Sequence, residues 1–273
     1  MTTITEAASS VVRANIAYDN YGRRSGVSRA SADSMGYQYD PASRLKTLSH
    51  AFTTTTNNLA LDFEFNPASQ MVKRTVSNDV YAYRGDYNLV RPYAANGLNQ
   101  YTTAWPATFT YDPNGNLTGD GSSTYVYDTE NRLTSASGAK TATLKYDPLG
   151  RLNETGGGSA GITRFLYDGD ALVGEYDAGG NLLRRYVHGP GVDEPLVWYE
   201  GATLTNARSL HANHQGSIIG IADNAGALLN ANSYDAYGIP ALTNLGRFAY
   251  TGQIVLPELG MYHYKARIYV SVV

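Results

Sequence analysis

The fold of this chain is decided by the stretch Tyr146-Asp147-Pro148-Leu149-Gly150-Arg151-Leu152, which the sequence repeats with variations along most of its length. An aromatic residue, an acidic or amide residue and a short turn recur in the same order in each copy. Internal repetition of this kind is typical of proteins that stack one supersecondary unit many times. Further copies begin at Tyr18, Tyr39, Phe65, Tyr111, Tyr127 and Tyr176.

Each copy predicts a strand, a tight turn and a second strand. The aromatic residue ends a strand, and the next Asp carboxylate accepts hydrogen bonds from backbone N–H groups of the turn. Pro at the third position presets φ for a type I turn, and Gly or Asn at the fifth allows a left-handed residue. Tyr111, Tyr127, Tyr146 and Tyr167 lie 16, 19 and 21 residues apart. Such a period holds two strands of about 5–6 residues and two turns.

The repeats predict an all-β protein, built as a YD-repeat array of antiparallel β-hairpins that forms one long, curling sheet with almost no helix. Alternating residues at 164–167 and 262–268 indicate half-buried strands. We expect turns at 112–116, 128–131 and 147–150, and a positive φ at Gly150. The residues that we assign to structural repeat turns are Tyr111, Asp112, Gly115, Tyr127, Asp128, Tyr146, Asp147, Gly150 and Arg151.

A set of longer segments in the second half makes the sequence recognisable. The first is Arg185-Tyr186-Val187-His188-Gly189-Pro190-Gly191-Val192-Asp193-Glu194-Pro195-Leu196, and four others follow at 211–217, 234–238, 248–253 and 259–269. With the repeats, this ordered set resembles the YD repeats and the RHS core of RHS (rearrangement hotspot) proteins, a family that includes bacterial polymorphic toxins. The resemblance covers almost the whole chain.

The domain organisation follows from the quality of the repeats. We assign a degenerate YD-repeat region to 1–107, regular YD repeats to 108–187 and an RHS core-like segment to 188–273, all in one continuous β body. Residues 1–17 are expected to be irregular until Ile16. The segment from Ala51 to Leu61 fits either a strand or a loop.

Composition restricts the classes of function. The net charge of −3 and the pI near 5.9 argue against a nucleic-acid or anionic-membrane surface. The absence of Cys excludes disulfides and thiolate metal sites. No apolar run reaches the roughly 20 residues of a membrane helix, and residues 1–10 show no signal peptide. The family resemblance implies an extracellular or cell-surface location in bacteria.

Three short motifs resemble catalytic or metal-binding sites, but a structural role explains each of them more simply. Residues 157–161 match G-x-S-x-G around Ser159, but a strand follows where the motif requires a helix. His211 and His214 would lie on opposite faces of a strand, so we favour hydrogen bonding over a metal site. The oxygen ligands at 112–116 are too few for a calcium loop. We therefore predict no catalytic residue, no cofactor and no metal.

The function predicted from the resemblance is structural. Longer relatives are expected to coil the repeat sheet into a shell around a toxin. We interpret this chain as a non-enzymatic RHS/YD-repeat scaffold, either part of a toxin-encapsulating shell or a truncated remnant of one. After Tyr269 it departs from the family pattern, so no position matches the self-cleavage aspartates. Its expected partner is a toxin domain or the rest of an RHS shell, without nucleic acid.

An alternative interpretation is an extracellular module that binds glycans or a cell surface. The chain has 23 Tyr against 6 Phe and 2 Trp, and aromatic sheet faces suit sugars. They suit packing equally well, because a Tyr ring can be buried while its hydroxyl finds a partner. A glycan array would separate this alternative from the scaffold.

The chain is predicted to form homo-oligomers through open sheet edges. The apolar residues Ile268, Val270 and Val272 would form one edge, and 11–16 a second. Deletion of 268–273, or Lys at both Val270 and Val272, should therefore shift the protein toward monomer in light scattering. A monomeric unmodified chain at high concentration would contradict this prediction.

Overall fold

The computed structural model describes residues 1–86, 88, 90–158 and 161–271. The chain forms two compact units, each assembled from separate parts of the sequence. Unit 1 consists of Met1–Arg84, Arg185–Asp235 and Pro240–Gly252. Unit 2 consists of Gly85–Arg184, Ala236–Ile239 and Gln253–Val273. The three-part division at 107 and 187 stays a prediction.

Unit 1 begins with a seven-stranded antiparallel sheet whose strands neighbour each other in chain order. These strands are β1 (Thr2–Thr5), β2 (Val12–Tyr18), β3 (Arg24–Ser28), β4 (Ser34–Tyr39), β5 (Leu45–Ala51), β6 (Leu59–Phe65) and β7 (Met71–Val76).

Unit 2 has a three-stranded sheet followed by a longer antiparallel array, again in chain order. The first sheet contains β8 (Tyr93–Ala95), β9 (Tyr101–Ala104) and β10 (Ala107–Thr108). The array contains β11 (Thr110–Tyr111), β12 (Leu117–Gly119), β13 (Ser123–Tyr127), β14 (Leu133–Gly138), β15 (Ala142–Tyr146), β16 (Leu152–Gly156), β17 (Thr163–Asp168) and β18 (Ala171–Asp177).

The remaining strands complete both units. β19 (Leu182–His188) lies at the sequence boundary between them. Unit 1 also contains β20 (Pro195–Glu200), β21 (Ala207–Ala212), β22 (Ile218–Ala222) and β23 (Leu228–Ala231). Unit 2 ends with a sheet of β24 (Ile254–Leu256), β25 (Met261–Tyr264) and β26 (Arg267–Tyr269), in which β25 is central.

The prediction of an antiparallel all-β repeat fold is confirmed. Strands make up 49% of the chain, and the described residues contain no α-helix, only the short 3₁₀ segments Thr55–Asn57, Asp79–Tyr81 and Tyr250–Gly252. None of these segments has the length and apolar character needed to cross a membrane. The described strands fall into four sheets rather than the single sheet expected. Between Ala51 and Leu61 the chain leaves β5, makes a 3₁₀ turn and enters β6, so both alternatives hold in part.

The repeat turn between β15 and β16 carries a one-residue bulge that fixes the register. Tyr146 pairs with Leu152, whereas Lys145 pairs with Glu154, so Asn153 is the extra residue. The same shift follows the turns between β4 and β5 and between β13 and β14. Directly opposed residues of an antiparallel pair share a face of the sheet. The bulge therefore puts the repeat Tyr and the repeat Leu side by side.

Each unit has its own apolar core. In unit 1 the inward residues of the first sheet meet those of β20 to β22, as Ile16 and Leu48 do with Val197. In unit 2 the repeat residues Leu133 and Leu152 are buried, at 2% and 0% exposed, whereas the repeat residue Leu117 is half-buried. Burial of one such side chain stabilises the fold by about 1.5–3 kcal/mol, so the repeat Leu is a principal source of stability.

The N-terminal prediction is wrong in two respects. Residues 1–17 are not irregular, because they form β1 and most of β2. The segment 11–16 is not an open edge either, since β2 pairs with β1 on one side and with β3 on the other. The hairpin between β1 and β2 lacks the repeat motif, and for that reason its sequence did not reveal it.

The continuous strand expected at 262–268 is also wrong. Tyr264 ends β25, and Arg267 begins β26, which pairs back with Tyr264. Lys265 between them has φ of 57°, and a left-handed residue at this point reverses the chain. Alternation continues on both sides of the turn, which explains why the sequence resembled one strand.

The left-handed turn position gives a stability prediction. Gly150 has φ of 81°, as expected, and a β-branched side chain fits this region poorly. We expect Gly150→Val to lower the free energy of unfolding by about 1–2 kcal/mol, measured by urea denaturation. Gly150→Asn should cost less, because Asn131 holds the same turn position with φ of 61°.

The control for this prediction is Gly97→Val, in the turn before β9. Gly97 does not have a left-handed φ, and its missing Cβ would meet nothing within 4 Å. The Gly-rich sequence at 156–161 predicts a loose loop, in which Gly158→Val would be mild. Gly158 is nevertheless unsuitable as a control, because its φ is 61° and its Cβ would lie 3.4 Å from Glu258 Cγ. Equal losses at Gly150 and Gly97 would contradict the turn assignment. Ser159 and Ala160 lie outside the described residues.

Candidate functional site

The repeat turn is closed by the carboxylate of its Asp. In the turn between β15 and β16, Asp147 Oδ1 accepts hydrogen bonds from the backbone N–H groups of Leu149 and Arg151, both at 2.9 Å. Asp147 Oδ2 accepts from Arg151 Nε at 2.7 Å. The backbone adds Asp147 N–H to Arg151 O and Gly150 N–H to Asp147 O, each 2.9 Å. The turn 147–151 is therefore held together by hydrogen bonds among its own residues.

The same network recurs along the chain with small variations. Asp19, Asp40 and Asp128 each pair with an Arg four residues on. Asp112 and Asp177 have no Arg at this position and instead accept hydrogen bonds from Asn116 Nδ2 and Asn181 Nδ2, both at 2.8 Å. These turns contain the assigned residues Tyr111, Asp112, Gly115, Tyr127, Asp128, Tyr146, Asp147, Gly150 and Arg151, whose structural role stays a proposal.

Two further turns of this type escaped the sequence reasoning. Asn213 Oδ1 accepts from the N–H groups of Gln215 and Ser217. Asp223 Oδ1 accepts from those of Ala225 and Ala227. Neither turn follows a Tyr, so the aromatic repeat does not mark them. The sequence sign that could have identified them is the Gly three residues after the Asx residue, at Gly216 and Gly226.

The repeated Asp and Arg of the sequence suggest that an Asp of one repeat could pair with the Arg of the neighbouring repeat, and the described turns at Asp19, Asp40, Asp128 and Asp147 contradict this. Each of these Arg residues pairs with the Asp of its own turn. The guanidinium then stacks on the aromatic ring of the next repeat, with Arg132 4.9 Å from the Tyr146 ring centre and Arg151 5.3 Å from that of Tyr167. Arg151 Nη1 also donates to Gly169 O at 2.5 Å. Neighbouring repeats are therefore linked by cation–π stacking and by a hydrogen bond from the guanidinium to the backbone.

The turn carboxylates stay ionised over a wide range of pH. The backbone N–H of Arg44 lowers the pKa of Asp40, and its guanidinium adds to the effect although burial opposes it. The side chain of Arg23 acts first on the pKa of Asp19, in the same direction. A folded pKa below the ordinary value of 3.8 means that this stabilisation is present above that pH and is lost below it.

The predicted self-association edge is described only in part. Ile268 lies in β26, the last strand of its sheet, and is half-buried. Val270 follows the strand and is also half-buried, whereas Val272 lies outside the described residues. Self-association through this edge stays a prediction.

Unit 1 contains a buried polar cluster that the sequence did not predict. It comprises His211 on β21, His50 on β5, and Arg29 and Asp33 at the connection between β3 and β4. Their exposed fractions are 0%, 2%, 7% and 0% respectively. Ionisable groups are rarely buried to this degree unless they pair with one another.

Hydrogen bonds join the cluster in a chain. His211 Nε2 lies 2.8 Å from Asp33 Oδ2, which also accepts from Arg29 Nη1 at 3.1 Å. Arg29 Nη2 donates to Leu210 O at 2.8 Å. The Nδ1 atoms of His50 and His211 are 3.2 Å apart. The cluster thus links β21 with β5 and with the connection between β3 and β4.

The network assigns the ring protons. Asp33 is acceptor only, so His211 carries its proton on Nε2 and leaves Nδ1 as an acceptor. His50 must then donate from Nδ1, and its Nε2 is a bare lone pair. Among the described residues this buried Nε2 has no hydrogen-bond partner. Both imidazoles are therefore neutral in this arrangement.

Burial dominates the electrostatics of the cluster. It lowers the pKa of His211 to about 4, with the charge of Arg29 acting in the same direction. Burial lowers the pKa of His50 well below its ordinary value, and His211 adds to this. Burial works to raise the pKa of Asp33, but the hydrogen bond from His211 and the charge of Arg29 overcome it, and the net shift is downward. At neutral pH the cluster contains one carboxylate and one guanidinium.

His211 and His214 are not brought together. His211 belongs to the cluster, whereas His214 lies in the following turn, with its ring centre 4.6 Å from that of Phe63. The expectation that the two rings lie on opposite faces of one strand is wrong, because β21 ends at Ala212. The preference for hydrogen bonding over a metal site stays a prediction.

A cavity of about 280 Å³ lies beside the cluster in unit 1. Arg24 forms an ion pair with Glu194 at its wall, and Gly191 N–H donates to Glu194 Oε2 at 2.9 Å. Its further lining is largely apolar and includes Met35, Leu196 and Leu210. Arg24 and Glu194 therefore neutralise each other at this wall.

Comparison with curated proteins shows sequence similarity to proteins named as nucleases. No family model matches it. The tRNA3(Ser)-specific nuclease WapA of Bacillus spizizenii is 34% identical over 187 residues, and the tRNA nuclease WapA of Bacillus subtilis strain 168 is 33% identical. Each alignment covers 64% of this chain and 8% of the relative. The chain therefore spans less than a tenth of these relatives.

Comparison with solved structures supports the fold. A chain of the Photorhabdus luminescens Tc holotoxin pore superimposes with a TM-score of 0.64 at 16% identity, over 95% of this chain and 17% of its own. The crystal structure of TcdB2-TccC3-TEV gives a TM-score of 0.65 at 14% identity, over 97% and 18%. At such identities the similarity concerns the fold alone.

The predictions of a non-enzymatic scaffold and of no nucleic-acid partner are contradicted. The curated relatives are named as nucleases that act on tRNA. The net charge describes only these 273 residues. It carries no information on the substrate of relatives in which the aligned part makes up 8% of the length. No comparison supports the glycan-binding alternative either.

The guanidinium of the repeat turn gives a prediction for unit 2. In Arg151→Lys the contacts of Nε and Nη2 with Asp147 Oδ2 and the stacking on Tyr167 are lost, because an ammonium is a point charge. We expect a loss of about 0.5–1 kcal/mol in the free energy of unfolding, measured by urea denaturation. Arg74→Lys, at an exposed position of β7, is the matched control, and equal losses at both positions would refute the role of Arg151.

Proposed function

Since the chain is an RHS/YD-repeat protein, we propose that it belongs to a toxin whose activity is the cleavage of tRNA. The observation that carries this proposal is the similarity over 187 residues, at 33–34% identity, to three relatives named as tRNA nucleases. A similarity of this length includes most of the repeats. It therefore concerns the architecture as a whole rather than one turn motif.

The proposed partner of this chain is the toxin segment of the same protein. Its fold matches chains from Tc toxin structures at TM-scores of 0.64 and 0.65, which supports association with a toxin. We propose that the whole protein is secreted, as the toxin resemblance implies, and that its substrate is tRNA of a target cell. Neither point depends on a residue of the buried cluster.

The cluster of His50 and His211 is not assigned a role in cleavage. A general acid or base must come within hydrogen-bond reach of the group that it serves. His211 is 0% and His50 2% exposed, so an RNA phosphate does not reach them in this arrangement. The proposal therefore concerns the activity and substrate, not these imidazoles.

A cleavage assay tests the proposal. The complete product of the reading frame that encodes these residues is incubated with purified tRNA and, as a control substrate, with ribosomal RNA. We expect tRNA to be cut into discrete fragments on a denaturing gel while ribosomal RNA stays intact. Intact tRNA at enzyme concentrations equal to those of the substrate would contradict the proposal.

A parallel reaction with the 273-residue chain locates the activity. Cleavage by this chain alone would place the catalytic centre within residues 1–273. Cleavage by the complete product only would place it in the remaining sequence. A His211→Gln variant of whichever protein cleaves is the matched control, and it should retain activity because His211 is buried away from substrate.

A further inference from the structure

The buried cluster joins parts of unit 1 that are far apart in sequence. Arg29 Nη2 reaches Leu210 O across 181 residues, and His50 meets His211 across 161. We infer that the Arg29–Asp33–His50–His211 cluster is an acid-sensitive lock, which holds β21 against β5 and the β3–β4 connection and releases them when an imidazole takes a proton.

The contact between the two imidazoles is the part of the lock that a proton breaks. At 3.2 Å between Nδ1 atoms, one nitrogen must donate and the other must accept. An imidazolium carries N–H on both ring nitrogens. Protonation of His211 at Nδ1 would therefore set two N–H donors against each other and remove the hydrogen bond that joins β5 to β21. The bond survives only if His50 moves its proton to Nε2, and this places a buried N–H where no described residue accepts it.

Protonation of His50 acts through charge rather than geometry. Its bare Nε2 is the free basic position, and the added charge would lie in a site that contains no second carboxylate. His211 and Arg29 are the titratable groups that face His50. A buried charge without a partner is strongly destabilising. The folded arrangement therefore resists protonation at this position also.

The groups around His211 do not compensate for an added proton. Asp33 faces Nε2 and already pairs with Arg29. Ser31 and Ser209 donate to the other carboxylate oxygen of Asp33. The ring of Phe52 covers His211, with 4.5 Å between ring centres. One carboxylate therefore faces a guanidinium and an imidazolium, and the cluster gains a net positive charge.

The direction of the pH effect follows from linkage. The pKa of His211 is lowered from 6.5 to about 4 in the folded chain. Below pH 6.5 the unfolded chain binds a proton that the folded chain excludes, so stability is present above 6.5 and falls until the pH reaches about 4. The stability that the turn carboxylates contribute is lost below their ordinary pKa of 3.8. The loss of stability through His211 therefore occurs at higher pH than the loss through these carboxylates.

Fluorescence of Trp198 provides a local readout of unit 1. Trp198 is 4% exposed in β20, and the other Trp, Trp105, is 61% exposed and belongs to unit 2. In a Trp105→Phe background, the fluorescence change during urea denaturation comes from Trp198 and therefore reports the unfolding of unit 1. The folding equilibrium constant would be measured between pH 7.5 and 4.5 in steps of half a unit.

We expect the constant of the Trp105→Phe chain to fall by roughly 50-fold or more over this range through His211 alone, since each pH unit between the two pKa values gives about a tenfold change. In His211→Gln, which has no proton to bind, the fall should be smaller by about that factor. His263→Gln is the matched control, because His263 is buried in unit 2 with a pKa also lowered to about 4 by burial.

The lock is overturned if His211→Gln and the Trp105→Phe parent lose stability equally between pH 6.5 and 4.5. His214 also lies in unit 1 with a lowered pKa, and in that case it or another group would be responsible. Nitrogen-15 NMR of the imidazoles in the unmodified chain gives a second test that needs no folded variant. Titration of His50 and His211 near pH 6.5 without a change at Trp198 would equally refute the lock.

Discussion

The hydrogen bonds from two backbone N–H groups to one Asp carboxylate oxygen are the interaction on which this structure depends. Asp147 Oδ1 holds the N–H groups of Leu149 and Arg151, and this fixes the reversal of the chain. The bulge that follows places Leu152 opposite Tyr146. Because burial of the Leu needs that register, the apolar core of each hairpin depends on a polar contact at the surface.

The sequence predicted the elements that a local pattern specifies. The turn beginning at Asp147 contains its donors, its acceptor and its left-handed residue within five positions, so residue types alone were sufficient. The turn beginning at Asn213 has the same geometry without a preceding Tyr, and the pattern missed it. The reversal at Lys265 was invisible, because neither Gly nor Asn marks its left-handed backbone.

The buried cluster could not be predicted, for a different reason. His50 and His211 are unremarkable in their own segments, and only the packing of β5 against β21 brings their Nδ1 atoms to 3.2 Å. A polar residue on an inward position is normally a conflict with the hydrophobic pattern. In this protein the four residues of the cluster can be buried together, since each supplies the hydrogen-bond donor, acceptor or charge that the others require.

The discontinuous composition of unit 1 has a consequence for biosynthesis. The sheet of β1 to β7 leaves the ribosome about a hundred residues before β20 to β22 exist, since unit 1 resumes at Arg185 after it stops at Arg84. Until then Ile16 and Leu48 lack Val197, with which they form one core. The nascent N-terminal sheet therefore carries an uncovered apolar face during translation, and such a face is a typical substrate for chaperones.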